Sequence, residues 1–256
     1  MSRPATLEEL KRLARVEGIT PISRVPLGEA GADARLGGGL ARGRLHELHG
    51  ESGDLGALLC AAAMLAARAA QDGRALLWLR DARAERRGGQ LHAAGLSELG
   101  VPPERLLVAV APDAAALLKA GADALASGAV GAAVLEAWGA CRELDLTATR
   151  RLSLAAERGG VTALLVRVDA TAEPSAADTR WRVSAAPSRT MPARAPGPPA
   201  LRLTLERRRG GPADAFILEW NRDQQHFATL PGPVVPDLAI RPVATGSGPA
   251  RAVRAA

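Results

Sequence analysis

Short apolar runs alternate with longer helix-like segments between residues 44 and 168, and no other feature of the sequence limits the fold as strongly. The run Val130–Leu135 has no charged residue, as expected for a strand that is buried on both faces. The segment Leu55–Ala70 is longer and rich in alanine and leucine, which are strong helix formers. Strands that are joined through helices pair in parallel, so the sequence predicts a doubly wound, mostly parallel α/β sheet flanked by helices.

The positions of the individual elements follow from periodicity and from glycine and proline breaks. Strands are predicted over Arg44–His49, Ala75–Leu79, Leu106–Val110, Val130–Leu135 and Val161–Val168. Helices are predicted over Leu55–Ala70, Ala114–Ala126 and Asp145–Glu157. Three short alternating segments follow, and we expect them to add antiparallel strands at the C-terminal edge of the sheet: Trp181–Ala185, Leu201–Glu206 and Ala215–Trp220.

The composition divides the chain into three parts. Thr6 and Glu9 form a capping box ahead of a leucine repeat, so residues 1–30 are predicted to be an N-terminal helical arm and linker. The stretch Pro21–Ala34 is interpreted as the linker, and residues 31–230 as the core domain. Residues 231–256 are rich in proline, alanine, arginine and glycine, which bury too little surface to fold alone, so a flexible tail is predicted there.

Charge and cysteine content indicate the environment of the protein. The formal net charge is +6, and every basic residue except Lys11 and Lys119 is an arginine. Such a surface suits nucleic acid or an acidic partner, although a GC-rich genome gives the same bias. Two cysteines are too few for a disulfide framework, and the longest uncharged apolar run, Leu55–Ala67, is shorter than the roughly 18 residues of a membrane span. A cytoplasmic protein without a membrane partner is expected.

The turn between the first predicted strand and the long helix occupies the place of a nucleotide-binding loop. Its residues are Gly50, Glu51, Ser52, Gly53, Asp54 and Leu55, whereas a working loop follows the pattern G-x-x-x-x-G-K-[ST]. The loop is shorter, Asp54 stands in the place of the lysine, and Leu55 replaces the hydroxyl that holds Mg²⁺. Asp54 is instead suited to the N-terminus of a helix, where the dipole favours an acid. The sequence therefore predicts no bound ATP and no cofactor.

Several segments resemble proteins of known families. Leu36–Gly50 resembles the strand that leads into the phosphate loop of the RecA recombinase, and Leu125–Val130 resembles the approach to its Walker B strand. More specifically, the chain is similar to the ImuA family, RecA-like accessory proteins of bacterial mutagenic translesion synthesis. The segments that carry this likeness span roughly residues 30 to 222 and are Gly37–Gly39, Gln90–Leu96, Arg150–Glu157, Thr179–Val183 and Glu206–Gly211.

The resemblance implies a RecA-like fold and a function in SOS-induced, error-prone DNA synthesis. It implies two partners, a catalytically inactive Y-family polymerase-like protein (ImuB-type) and an error-prone C-family DNA polymerase, with RecA itself as a further candidate. It also implies association with the nucleoid when the protein is induced.

Departures from RecA indicate that ATPase activity has been lost. No glutamate is present in Arg80–Arg83, after the second strand, where RecA-type enzymes place the residue that activates water; Glu85 lies further along. Glu136, after the Val130–Leu135 strand, is interpreted as a remnant of the Walker B acid. We therefore expect a pseudo-ATPase with no catalytic residues.

Seven residues are candidates for contacts with DNA or a partner: Arg150, Arg180, Trp181, Arg182, Arg207, Arg208 and Arg209. In a strand, Trp181 is either buried while the flanking arginines are solvated, or it stacks on a base and supports weak single-stranded DNA binding. Arg151 is expected near the buried face of its helix. His46 and His49 would lie on opposite faces of their strand, so the sequence predicts no metal site.

Three other functions stay open from the sequence. The chain could be a DNA-stimulated ATPase with a non-standard phosphate loop, an SOS inhibitor of cell division, or a modulator that binds RecA through a shared surface. Nucleotide binding distinguishes the first of these from an adaptor, and growth as filaments without a polymerase partner distinguishes the second.

Overall fold

The computed structural model describes residues 22–70, 73–170 and 173–230. The helix predicted after Thr6 and the tail 231–256 lie outside the described residues, so the proposed division into arm, core and tail stays a prediction. Eleven strands are present in the described residues: β1 (Arg24–Val25), β2 (Leu40–Ala41), β3 (Leu45–Gly50), β4 (Ala75–Asp81), β5 (Leu106–Ala111), β6 (Val130–Trp138), β7 (Thr162–Val168), β8 (Thr179–Ala185), β9 (Ala200–Arg208), β10 (Asp214–Asn221) and β11 (His226–Thr229).

Nine of these strands form one sheet in the order β11-β10-β9-β8-β3-β7-β6-β4-β5, and β1 pairs with β2 separately. The strands from β8 to β5 are parallel to one another. The strands β9, β10 and β11 are antiparallel to their neighbours. The predicted α/β class, with a mostly parallel sheet and antiparallel strands at one edge, is confirmed, while the likeness to RecA stays a prediction.

Six helices connect or cover these strands in the described residues: α1 (Ala30–Leu36), α2 (Leu55–Ala69), α3 (Ala82–Gly88), α4 (Ala93–Glu98), α5 (Ala114–Ser127) and α6 (Leu146–Gly159). Aspartate caps begin both long helices of one face, because Asp113 accepts from Ala116 N and Asp145 accepts from Ala148 N. Left-handed glycines end the same two helices, at Gly128 and Gly160.

Helices cover both faces of the sheet, which gives the protein two hydrophobic cores. On one face α2 buries Leu58 and Met64 together with Trp78 of β4. On the other face α5 and α6 bury Leu117 and Leu152 together with residues of β6 and β7. The sheet is thus the central one of three layers. In folds of this kind, ligands bind at the carboxyl ends of the parallel strands.

Helix α2 is a core helix in spite of its strongly apolar composition. Within the part of the chain that the structure describes, Ser52–Ala69 is the one helical stretch with the length and hydropathy of a membrane span. Half of that stretch, 50%, is buried inside the protein. Its packing against the sheet explains the apolar composition, because a helix between two layers of protein needs few polar side chains.

Two sequence-based predictions of local structure are wrong. Strand β8 was expected to be antiparallel, but it pairs in parallel with β3 on one side and antiparallel with β9 on the other. The connection between β7 and β8 is long enough to cross β3, so β8 can run in the same direction as both. The expected linker Pro21–Ala34 contains β1 and the start of α1, where the Glu29 side chain caps the amides of Gly31 and Ala32. Helices α3 and α4 and strand β11 were not predicted.

Gly159, the last residue of α6, lies against the end of α5, and this close approach leads to a prediction. A Cβ at Gly159 would come within 1.9 Å of the Leu125 carbonyl oxygen. We expect Gly159→Ala to lower the free energy of unfolding by about 2–3 kcal/mol, as overpacking does in protein cores. Urea unfolding followed by circular dichroism measures the change.

The matched control is Gly56→Ala in α2, where an added Cβ would meet no atom within 4 Å. This substitution is expected to raise the free energy of unfolding by roughly 0.5–1 kcal/mol, because alanine is the better helix former. Equal effects of the two substitutions would contradict the close contact between α5 and α6.

Candidate functional site

A cleft of about 630 Å³ opens at the carboxyl ends of β3, β7 and β8, where the chain leaves the sheet for α2. This is the edge at which open parallel sheets bind ligands. Its walls are His49, Gly50, Glu51, Asp54, Asp169, Ala170, Arg182, Val183 and Ser184. The structure therefore places half of the predicted phosphate loop, Gly50, Glu51 and Asp54, on the wall of this cleft.

The loop turns into α2 through one tight 3₁₀ turn rather than through a broad cradle. Gly50 ends β3, Ser52–Asp54 form the 3₁₀ turn, and Leu55 begins the helix. Gly50 permits a close approach of β8, because a Cβ there would lie 3.0 Å from the Val183 carbonyl oxygen. A phosphate cradle needs several successive backbone N–H groups that point at one centre, and so short a turn offers few of them.

A carboxylate of the protein itself takes up an amide of this loop. The backbone N–H of Ser52 donates to Asp169 Oδ1 over 2.5 Å. Asp169 follows β7, has a left-handed backbone with φ of 50°, and donates its own N–H to the Gly50 carbonyl over 3.0 Å. The Ser52 amide, one of the groups that would hold a phosphate oxygen, thus already binds an intramolecular anion.

Asp54 lies at the start of α2, as predicted, but its side chain bonds elsewhere. It occupies the N-cap position of α2 without a side-chain hydrogen bond to the helix. Its Oδ1 atom accepts from the backbone N–H of Ala185, at the end of β8, over 3.0 Å. Asp54 therefore joins the loop to β8.

Carboxylates dominate the charge around the cleft. Glu51, Asp54 and Asp169 all border it, and the basic groups on its wall are paired with a further acid, Glu206. Arg182 Nε lies 2.9 Å from Glu206 Oε1, and His49 Nε2 lies 2.8 Å from Glu206 Oε2. Partial burial acts to raise the pKa of Glu206, but His49 and Arg182 outweigh it and lower that pKa.

Glu136, the predicted Walker B-like acid, lies inside the protein and does not line the cleft. Arg80 donates to both of its oxygens, from Nε to Oε2 over 2.9 Å and from Nη2 to Oε1 over 3.1 Å. The indole N–H of Trp78 donates to Oε2 over 2.9 Å, and that of Trp138 donates to Oε1 over 3.0 Å. The side chain is 0% exposed. With four donors on two oxygens, this carboxylate has no position left for a metal ion or its water.

The neighbouring acids of β4 and α3 have structural contacts as well. Asp81 is fully buried, accepts from Ala84 N over 2.9 Å as the cap of α3, and pairs with Arg83 over 3.0 Å. Glu85 lies within α3.

Arg180 and Trp181 of β8 are used inside the protein. The Arg180 guanidinium donates to Glu47 Oε2 from Nε over 3.2 Å and from Nη2 over 3.1 Å. Glu47 is 1% exposed and also has Arg167 within 3.5 Å. Trp181 is buried and donates its indole N–H to Thr179 Oγ1 over 2.7 Å. Of the two interpretations of this segment, the structure supports the one in which Trp181 is buried. It departs from that interpretation at Arg180, whose guanidinium is paired with Glu47 instead of being solvated.

The remaining candidate arginines fall into two groups. Arg207 donates to the carbonyls of Ser175 and Ala177, and Arg208 donates to the carbonyl of Arg35. Arg150 and Arg209 are exposed, and among the described residues their guanidinium groups have no recorded partner. Arg151 is exposed too, although it borders a groove between α5 and α6 beside Leu118 and Leu152, which is consistent with its expected place near the buried face of α6.

His46 belongs to a buried hydrogen-bond chain. Its Nε2 lies 2.9 Å from the Ala41 carbonyl, which can only accept, so Nε2 carries the proton. Its Nδ1 then accepts from Thr179 Oγ1 over 2.7 Å, which in turn accepts from Trp181. Burial lowers the pKa of His46. No group of three or more metal-ligating side chains is found in residues 22–70, 73–170 and 173–230.

The contacts of Asp169 and Glu47, and the ion pair of Glu136 with Arg80, were not predicted from the sequence. An arginine within the apolar strand Ala75–Asp81 requires a buried anion, and Glu136 within another apolar strand is the complementary signal. Asp169 directly follows the strand that pairs with β3, so its nearness to the loop follows once the strand order is known. The strand order could not be derived from local sequence patterns, so the contact between Asp169 and the loop was not predicted.

The contacts of Glu136 predict a structural rather than a chemical effect of its replacement. Glu136→Gln removes the charge that compensates Arg80 and one acceptor for the tryptophans. We expect the free energy of unfolding to fall by about 3 kcal/mol, the lower part of the range for a broken buried pair. Glu98→Gln, which breaks an exposed pair with Arg222, is the control and should change it by less than about 0.5 kcal/mol. A variant as stable as the parent would refute this role.

The environment of His46 predicts a pH dependence of stability. The unfolded chain takes up a proton near the ordinary pKa of 6.5, whereas burial lowers the pKa in the folded state. The free energy of unfolding should therefore fall as the pH drops below about 6.5, by up to roughly 1.4 kcal/mol per pH unit. Urea unfolding at several pH values measures this slope. His46→Gln should make the free energy of unfolding less dependent on pH in this range. His92→Gln, at an exposed histidine, should leave that dependence unchanged.

Comparison with known proteins gives the family. No family model matches the chain. Proteins named "Protein ImuA" from two strains of Caulobacter vibrioides are each 38% identical to it over 216 residues, which cover 78% of this chain and 84% of the relative. The match confirms the resemblance found in the sequence, and the chain belongs to the ImuA family.

Proposed function

We propose that this protein is a non-catalytic accessory protein of SOS-induced, error-prone translesion DNA synthesis. In this role it bridges a Y-family polymerase-like protein (ImuB-type) and an error-prone C-family DNA polymerase. Membership of the ImuA family supports the general role. The observation that carries the non-catalytic part is the binding of the Ser52 amide by Asp169, in a loop without lysine.

The electrostatics of the cleft support the proposal that nucleotide does not bind. Two unit charges about 4 Å apart interact by roughly 4 kcal/mol at an effective dielectric constant of 20. Triphosphate in the cleft would meet Glu51, Asp54 and Asp169, whereas a working loop supplies a lysine. The Glu136 carboxylate, fixed by Arg80 and two tryptophans, supports the same conclusion, because a Mg²⁺ ion would lack its usual acid.

Exposed cations on the surface suit nucleic acid or an acidic partner protein. Arg150 and Arg209 are exposed cations, and they are the members of the predicted set best placed to meet DNA phosphate or an acidic partner. We also propose that residues 1–30 and 231–256 contribute contacts to the polymerase partners. A cytoplasmic location, with recruitment to the nucleoid after induction, accompanies this role.

Calorimetry with Mg²⁺–ATP tests the non-catalytic part of the proposal. The wild-type protein is expected to bind no nucleotide, because the loop amide and the charge balance both oppose it. Asp54→Lys reverses a negative charge in the cleft, and Asp169→Ala frees the Ser52 amide. Any gain in nucleotide affinity should come from these two variants and not from Glu98→Lys, a charge reversal at an exposed glutamate. Hydrolysis by the wild-type protein that disappears when Asp54 or Glu136 is changed would overturn the assignment.

Co-purification with the ImuB-type protein tests the adaptor role. We expect the intact protein to capture this partner at moderate salt. Capture weakened by Arg150→Glu or Arg209→Glu but not by Arg202→Glu, at another exposed arginine, would locate the contact. Failure to capture any polymerase subunit, together with filamentous growth on overexpression, would replace the adaptor with an inhibitor of cell division.

A further inference from the structure

Strand β5 ends the sheet on the side opposite to β11, and its outer edge is unpaired in the described part of the chain. It pairs only with β4, from Leu106 to Ala111. An edge strand presents a row of free backbone N–H and C=O groups that can pair with another strand. Most proteins protect such an edge with a charge, a proline or a bulge within the strand. The six residues of β5, LLVAVA, contain none of these.

Both faces of this strand are apolar and open to solvent. Leu107 is 54% exposed on one face, and Val108 and Val110 are 49% and 43% exposed on the other. Neighbouring residues of a strand point to opposite faces of the sheet. Exposed apolar side chains are therefore present on both faces of β5, whereas an ordinary half-buried strand exposes one face only. An apolar strand exposed on both faces and at its edge has the properties of an interior strand of a sheet.

We propose that β5 pairs antiparallel with β5 of a second copy of this chain, so that two nine-stranded sheets become one. The partner must be a strand that is apolar on both faces, and β5 itself meets that requirement. A two-fold pairing of this kind is isologous and uses the same surface twice.

Symmetry and charge together fix the register of this pairing. Residues that lie opposite one another must share a face, so in a two-fold arrangement one residue must face its own copy. When that residue is Ala109, Val108 lies opposite Val110 of the second copy. The same register brings Arg105, directly before the strand, beside Asp113 of the second copy, two residues beyond the other end. A shift by two residues in either direction separates Arg105 from Asp113, so it loses the opposite charges.

The place where the described chain ends favours a second copy over the tail of the same molecule. The tail after Leu230 leaves from β11, eight strands away from β5. At about 4.8 Å between strands this is roughly 38 Å across the sheet. The tail would have to cross a whole face of the protein to reach β5, and its many prolines and glycines are poor residues for a strand.

Sedimentation of the full chain over about a hundredfold range of concentration tests the proposal, because a dimer dissociates on dilution. We expect a monomer–dimer equilibrium. Val108→Lys should abolish the dimer by placing a charge on the apolar face. Leu154→Lys, at a leucine of α6 that is 55% exposed, is the matched control and should leave it unchanged.

A cross-link tests the register. Directly opposed residues of antiparallel strands have Cα atoms about 4.5–5.5 Å apart, within the range of a disulfide. Ala109→Cys should therefore form a disulfide with its own copy under mild oxidation, identified by mass spectrometry of the linked peptides, whereas Leu154→Cys should not. A protein that is monomeric at every concentration, or a dimer that survives Val108→Lys, would overturn the proposal. Slow amide exchange at β5 in a monomer would also overturn it, in favour of a segment of the same chain.

Discussion

The buried carboxylate of Glu136 is the interaction on which the centre of this structure depends. A lone carboxylate in the interior would be strongly unfavourable, and here it is offset by Arg80 and by two indole N–H groups. These contacts join β4 to β6, near the edge of the sheet that ends with β5. The two strands are thus joined by an internal ion pair.

A second set of carboxylate contacts joins the loop after β3 to the neighbouring strands. Asp169 binds the amide of Ser52, and Asp54 binds the amide of Ala185, so the ends of β3, β7 and β8 are joined by carboxylates of the protein. Both acids line the cleft at the carboxyl ends of these strands.

The sequence predicted the sheet class and the position of the loop between β3 and α2, because these depend on local patterns. It also anticipated the burial of Trp181, which follows from alternation along a strand. It failed where contacts depend on strand order: β8 lies parallel to β3, and only that arrangement brings Arg180 to Glu47. The same dependence hid Asp169, which lies 117 residues from Ser52 in the chain. Residues 22–36 were misread because a two-residue strand and a seven-residue helix give too weak a periodic signal.

The two aspartates of the cleft have one further consequence. A nucleotide comes and goes with its concentration in the cell, whereas a side chain fixed to the same molecule is always present at a high effective concentration. In the proposed non-catalytic role, the ends of β3, β7 and β8 are therefore held in one arrangement whatever the ratio of ATP to ADP. In the proposed role, the timing of assembly cannot come from a hydrolysis cycle in this subunit. It has to come from how much of the protein the cell makes and when.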